Sequence, residues 1–275
     1  MKKLFITDLD GTLLNSESRV SNHSAKIISD LSMQGALITV ATARTPATVE
    51  RLLQNTLTTP PAIVMTGASF WDRQNLQFNN PRFIDINSAE KIVAICRTCG
   101  VNPFIYSIKD LRMVHTHFFG TPNPAEQKFI NQRNNLSLKK VMILPDCEQL
   151  PPIPDTILIF ALGNTEKIKH LALTLNAEGS YSISAYPDNL NPDISYIEIF
   201  APGVDKASAV KQLKEQTGAN HLTVFGDNLN DLSMMAVADI AVAVENALPQ
   251  VKEAAHIVID SHNHDAVARY IESHI

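Results

Sequence analysis

Two carboxylates stand two residues apart in the stretch Ile6-Thr7-Asp8-Leu9-Asp10-Gly11-Thr12-Leu13-Leu14, directly after the apolar run 4–6. A short apolar run of this kind is read as a buried strand. Two acids at its end, taken out of water without partners, would cost roughly 2–7 kcal/mol per unpaired polar group, and more if ionised. Something positive has to sit between them. A hard cation such as Mg²⁺ suits the place, because it takes oxygen ligands and keeps some of its waters. A strand followed by an ordinary Asp-Gly turn would leave the same trace, so the rest of the chain has to decide.

The elements that would position these acids alternate along the first third of the chain. Ser21 can cap a helix over 21–34, with Gly35 as its stop. Residues 36–42 read as a second buried strand, and Thr45-Pro46 opens a second helix, since proline is tolerated at the first helical position. Residues 61–66 read as a third strand ending in Gly67, followed by a hairpin-like piece over 70–78. Strand–helix alternation with nearly continuous apolar strands points to a parallel sheet covered on both faces. From about 83 to 194 the order changes to helix 88–99, strands 103–107 and 112–116, helix 124–133, strands 140–144 and 156–162, helix 165–177 and strands 181–186 and 195–200. That order suggests an α+β layer. The stretch 145–155, with four prolines, reads as a loop. The parallel rhythm then returns with helix 205–216, strand 222–225, a helix opening near Asn230, strand 240–244, helix 249–255, strand 257–259 and helix 265–273. The expected architecture is an α/β sheet domain from 1–82 and 200–275, with an α+β domain, 83–199, inserted in its middle.

Ligands of such sheets bind at the carboxyl ends of the strands. The first strand leaves Asp8 and Asp10 there, the second leaves Thr42, Ala43 and Arg44, and the third leaves Thr66, Gly67 and Ala68. The strand at 222–225 leaves Gly226-Asp227-Asn228-Leu229-Asn230-Asp231, and Lys206 opens the helix before it. Acids, a hydroxyl, a lysine and an amide thus gather at one sheet edge, and each has a use in phosphoryl transfer, which is mostly positioning and charge stabilisation. One carboxylate can attack phosphorus and form an aspartyl-phosphate. A second can protonate the leaving oxygen and later activate water. Mg²⁺ offsets repulsion between two anions, while a lysine and a hydroxyl hold phosphoryl oxygens.

Asp8-Leu9-Asp10-Gly11-Thr12, Thr42, Lys206 and Gly226-Asp227-x-x-Asn230-Asp231 resemble, in this order, the four motifs of the haloacid dehalogenase (HAD) superfamily. The large segment between Thr42 and Lys206 resembles the cap of the Cof-type branch, whose members are mostly phosphatases of sugar phosphates and small metabolites. The resemblance runs over the whole chain and implies a Rossmann-like core. It also implies an Mg²⁺-dependent phosphoric monoester hydrolase, with the cap contacting the non-phosphate part of the substrate. Asp8 would be the nucleophile and a metal ligand; Asp10 would be the general acid/base and bind metal through its backbone carbonyl. Thr42 and the Ala43 amide would hold the phosphoryl group, Lys206 would neutralise it and orient Asp8, and Asn230 would touch phosphate. Asp227 would be the third metal ligand, with Asp231 supporting the metal site or Lys206. The family usually has Thr-Gly-Arg where Thr42-Ala43-Arg44 stands, Asn-Gly-Ala where Thr66-Gly67-Ala68 stands, and often glycine at Ala207. None of these departures removes a catalytic group. They bear on substrate fit.

Each residue also has an ordinary use. Asp227 to Asp231 could cap a helix, Lys206 could be a solvated surface lysine, Thr42 a plain strand residue and Arg44 a structural arginine, which is left outside the catalytic set. In the insert, Arg112, His115 and His117 could line a pocket, or an exposed strand face. Cys96 and Cys99 lie near a helix end without a second pair at zinc-finger spacing, and the odd count of three cysteines argues against a disulfide framework. His262, His264 and His274 show no metal spacing. The 275 residues carry a net charge of −5 and no basic patch, which disfavours nucleic acid and anionic membrane as partners. No apolar run reaches the ~18 residues of a membrane span, and the start is not that of a signal peptide. The expected place is the cytoplasm, and the expected state a monomer, with a homodimer left open. Two other functions use the same residues: a phosphosugar mutase, which would interconvert hexose phosphates without net phosphate release, and a non-catalytic phosphometabolite-binding protein, which would bind tightly without turnover.

Overall fold

A computed structural model describes residues 1–147, 150–179, 181–188 and 191–275. Positions 148 and 149 of the loop expected at 145–155 lie outside the described residues. In chain order the elements are β1 (Lys3–Thr7), α1 (Asn22–Met33), β2 (Leu37–Val40), α2 (Pro46–Leu52), β3 (Ala62–Val64), β4 (Ser69–Asp72) and β5 (Gln77–Asn79). They continue with α3 (Ile86–Thr98), β6 (Phe104–Lys109), β7 (Met113–Phe119), α4 (Pro124–Asn131), β8 (Lys139–Leu144), β9 (Thr156–Asn164), α5 (Thr165–Glu178), β10 (Ser182–Pro187) and β11 (Ile194–Phe200). The last are α6 (Lys206–Thr217), β12 (His221–Gly226), α7 (Leu232–Met235), β13 (Ile240–Val244), α8 (Pro249–Ala254), β14 (Ile257–Ile259) and α9 (Ala266–His274). The fold is mixed α/β, and it divides into two compact units, Met1–Asn80 with Asp205–Ile275, and Pro81–Val204.

In the first unit the described strands form a five-stranded sheet in the order β14-β13-β12-β1-β2, with every pair parallel. The central strands are mainly apolar: Leu4, Phe5 and Ile6, then Leu222, Val224 and Phe225, are at most 1% exposed, with Thr223 buried among them. Full burial of each such side chain stabilises by about 1.5–3 kcal/mol, so the register of β1 is strongly fixed. Thr7 stands opposite Val40 on one side and Phe225 on the other. Asp8, Ala41 and Gly226 therefore leave the sheet at one level, with Thr42 and Asp227 one residue further on. Helix α1 begins as its sequence indicates, with the Ser21 side chain accepting from the Ser24 amide at 2.9 Å.

One expectation for this unit is met only in part. The strand at 61–66 was expected to join the parallel sheet. Its ordered part, β3, pairs antiparallel with β4 in a three-stranded sheet with β5, and meets the end of β2 in parallel through the Ala41–Ile63 bridge and the Thr42 amide, which donates to the Ile63 carbonyl at 3.0 Å. The reason is the chain reversal directly behind β3, where Met65 and Thr66 take left-handed φ of 51° and 58°.

The second unit carries a six-stranded sheet, β10-β11-β9-β6-β7-β8, antiparallel except for the β7–β8 pair. Helices α3 and α5 pack on this sheet and on each other, burying Ile92, Leu171, Ile157, Ile159, Ile197 and Ile199. Arg112 is exposed in the turn before β7, and His117 on that strand bonds through Nε2 to the Ser107 hydroxyl at 2.9 Å. The three cysteines are free, and burial pushes the Cys96 thiol up to about 12. Among the described residues no helix is long and apolar enough to cross a membrane.

Candidate active site

The carboxyl ends of β1, β2 and β12 bring the predicted residues of the first unit together. Asp8 follows β1 and is 6% exposed, while Lys206 and Asp231 are fully buried. The Lys206 ammonium donates to Asp8 Oδ1 at 2.6 Å and to Asp231 Oδ1 at 2.7 Å. Lys206 is the first residue of α6, held there by its N-cap Asp205, whose side chain accepts from the Ser208 amide at 2.6 Å. The second oxygen of Asp231 accepts from the backbone amides of Asp227 at 3.0 Å and Asn228 at 3.1 Å. Asp231 thus fixes both the lysine and the loop that carries Asp227. Gly226 permits that close approach, since a Cβ there would stand 2.6 Å from the Asp231 Cβ.

Asp227 is tied to the opening motif from the other side. The Thr12 hydroxyl donates to Asp227 Oδ1 at 3.0 Å. Gly11, at φ +73°, passes directly under this carboxylate, and an added Cβ would run into it. The spacing Asp-x-Asp-Gly-Thr is therefore a packing requirement as well as a chemical one: the glycine makes room for Asp227 and the threonine binds it. The Asn246 side-chain amide secures the same loop by donating to the Gly11 carbonyl at 2.7 Å.

Ligand oxygens of Asp8, Asp227 and Asp231 lie within 4.8 Å of one another. One buried ammonium faces these three acids, so the cluster holds more negative than positive charge. Burial above all, with Asp231 and Asp10 adding repulsion against the pull of Lys206, raises the Asp8 carboxyl well above its ordinary range. Burial and then Asp231 push Asp227 up to about 6. Burial works against the charge of Lys206, yet Asp8 and Asp231 carry its pKa above the usual lysine value. A second cation among the acids would relieve this, and all-oxygen donors with room for waters suit a hard divalent ion. Asp231 has both oxygens engaged by Lys206 and two amides, which leaves Asp8 and Asp227 as the carboxylates with an oxygen to offer.

The carboxylate of Asp10 turns away from this cluster. Arg44 grips it with two bonds of 2.6 Å, Nε to Oδ2 and Nη2 to Oδ1. Arg44 is the residue that sequence reasoning set aside. Its signal was its place two residues beyond Thr42, and the fork geometry of a guanidinium matches a carboxylate. The Arg44 amide donates to the Thr42 hydroxyl oxygen at 3.2 Å, so the two residues form one compact turn. Thr42 is buried and Ala43 half-buried beside it. Asn230 is exposed in the turn Leu229–Asp231.

A family model for haloacid dehalogenase-like hydrolases matches residues 5–271. The chain belongs to the haloacid dehalogenase-like hydrolase family, and it is a phosphatase enzyme of that family. It is 26% identical over 272 residues to the 5-amino-6-(5-phospho-D-ribitylamino)uracil phosphatase YcsE of Bacillus subtilis, covering 98% of this chain and 94% of that protein. In fold it is similar to a haloacid dehalogenase-like hydrolase from Bacteroides thetaiotaomicron, with a TM-score of 0.79, 20% identity and full coverage of both chains. It is also similar in fold to a HAD subclass IIB sugar phosphatase, with a TM-score of 0.72, 19% identity and coverage of 100% and 99%.

Proposed function

We propose that the protein is an Mg²⁺-dependent phosphatase that hydrolyses a small phosphorylated metabolite, a sugar phosphate or similar, through an aspartyl-phosphate on Asp8. The observation that carries this reading is the buried triad in which Lys206 binds Asp8 and Asp231 at 2.6 and 2.7 Å. Lys206 occupies Oδ1 of Asp8, which leaves Oδ2 to attack phosphorus. As the Asp8–phosphorus bond forms, the ester bond breaks, and Asp10 gives its proton to the leaving oxygen. A water then attacks the aspartyl-phosphate, its proton passes to Asp10, and phosphate leaves with Asp8 restored. The Thr42 hydroxyl, the Ala43 amide and Asn230 would hold phosphoryl oxygens, and Lys206 would balance the charge that gathers on them. A Mg²⁺ ion held by Asp8, Asp227 and the Asp10 backbone carbonyl would supply the charge that lets two anions meet. Two relatives support the substrate class, since one is named for a phosphoribityl compound and one for sugar phosphates. The second unit, Pro81–Val204, would then set which of them is accepted.

The test is phosphate release from p-nitrophenyl phosphate and from a panel of sugar and cofactor phosphates, with and without Mg²⁺. Asp8→Asn should lose about 10³-fold or more in kcat, as loss of a covalent nucleophile does. Acid-quenched wild-type protein should carry one added phosphoryl group by mass, and the variant none. Equal release by wild type and Asp8→Asn sinks the mechanism.

A further inference from the structure

The three ion pairs at this sheet edge differ in exposure. The pairs of Lys206 with Asp8 and Asp231 have side chains 0–9% exposed. In the Arg44–Asp10 pair the arginine is 32% exposed and the aspartate 51%. A buried pair cannot be opened without leaving a charge stranded. An exposed pair is screened by water and worth little, so another anion can take one partner's place. The pairing also conflicts with the work proposed for Asp10. Both of its oxygens point into the guanidinium fork, and a carboxylate so held is ionised, with no proton to give a leaving group.

We propose that Arg44 is a second phosphoryl-binding residue whose fork is filled by Asp10 until substrate arrives. The phosphoryl dianion would take the fork, and Asp10 would be released, take a proton from solvent and turn to the ester oxygen only when there is an ester to protonate. Guanidinium binds carboxylate and phosphate by the same bidentate geometry, so Asp10 stands where an anion is recognised. The position of Arg44 supports this. Its amide bonds the Thr42 hydroxyl oxygen at 3.2 Å, and its carbonyl accepts from Met65 at 3.1 Å. The fork is thereby anchored to the same turn that offers the Thr42 hydroxyl. Arg44 would be both a ligand and a device that couples substrate binding to the freeing of the acid. The inference rests on the phosphatase reading above.

Binding of inorganic phosphate, measured by calorimetry on the Mg²⁺-loaded protein, tests it without turnover. Arg44→Ala should weaken phosphate binding at least about tenfold, as loss of a charge-assisted fork does. Asp10→Ala removes the competitor and should tighten binding by roughly threefold to fivefold, the range of an exposed pair. That tightening should vanish in the Arg44→Ala background. Removal of a nearby negative charge by itself would tighten both backgrounds alike. Equal tightening in the two backgrounds, or none in either, overturns the exchange. Arg44→Lys, which keeps the charge without the fork, should behave more like alanine than like wild type; wild-type behaviour would also overturn it. If wild-type protein binds phosphate and only the Asp10 effect fails, the phosphatase reading stands. If it binds none, both fall.

Discussion

Among the described residues, Lys206 is the cation that the buried acids share, and its removal separates several roles at once. Lys206→Met would leave Asp8 and Asp231 buried beside each other with no counter-charge. Breaking a buried pair in this way costs about 3–5 kcal/mol. The variant should therefore show a lower urea midpoint as well as a loss of at least about 100-fold in kcat. A loss of activity with unchanged stability would mean that the triad does not hold the fold together. Thr12 works in the same two registers on a smaller scale, since its hydroxyl holds Asp227 while its side chain is buried.

At the scale of elements, α6 delivers Lys206 from its first turn, so the cap of that helix aims the ammonium. Asp205→Ala removes the acceptor for the Ser208 amide and should cost about 1 kcal/mol of stability. Phosphatase activity should fall severalfold, and Asp205→Ser, which can still cap, should restore most of it. A different stress lies on β8. Lys139 is 7% exposed, and its ammonium donates to the Tyr106 hydroxyl at 3.3 Å and sits 4.4 Å from the centre of that ring. Burial, and then the charge of Arg133, push its pKa down to about 7. Below pH 7 the amine is charged in both folded and unfolded chains, and the full cost of burying that charge is present. Between about 7 and the ordinary lysine value the unfolded chain binds more protons, so stability rises with pH. Lys139→Met should stabilise the protein at pH 7 by on the order of 2–4 kcal/mol and flatten that rise. Urea unfolding at pH 7 and pH 9.5 checks both. A wild-type stability that falls over this interval while the variant's stays level would show the lysine to be stabilised by its site.

At the scale of the molecule, the second unit is one continuous stretch, Pro81–Val204, whereas the first is made of two. Its two ends are tied to each other, Arg82 donating to the Pro202 carbonyl at 3.0 Å. It also has its own core beneath α3 and α5, with Ile92, Leu171 and Ile159 fully buried. A unit with a closed core and adjacent ends can fold alone. Residues 81–204 expressed by themselves should give a single cooperative thermal transition with the circular dichroism of a mixed α/β chain. A non-cooperative melt would show that its stability depends on the rest of the protein.

The sequence by itself determined which elements form and which residue types stand at their ends. Apolar runs identified β1, β2 and β12 because a strand buried on both faces is mostly apolar, admitting only a threonine such as Thr39 or Thr223. Caps and stops placed helices such as α1 and α6 within a residue or two. Asp8, Thr42, Lys206, Asp227 and Asp231 could be collected because strand ends are where such sheets bind ligands. The tertiary structure decided what pairing and distance alone can settle. It gave β3 a hairpin partner on one edge, because two left-handed residues reverse the chain directly behind it. It divided the acids into a buried set gathered around Lys206 and an exposed one held by Arg44. It also gave Gly11 its reason, a carboxylate lying where a side chain would be, contributed from more than two hundred residues away. Local sequence carries propensity and charge. Which charges meet depends on register and crossover connections, and these are fixed only when the whole sheet is assembled.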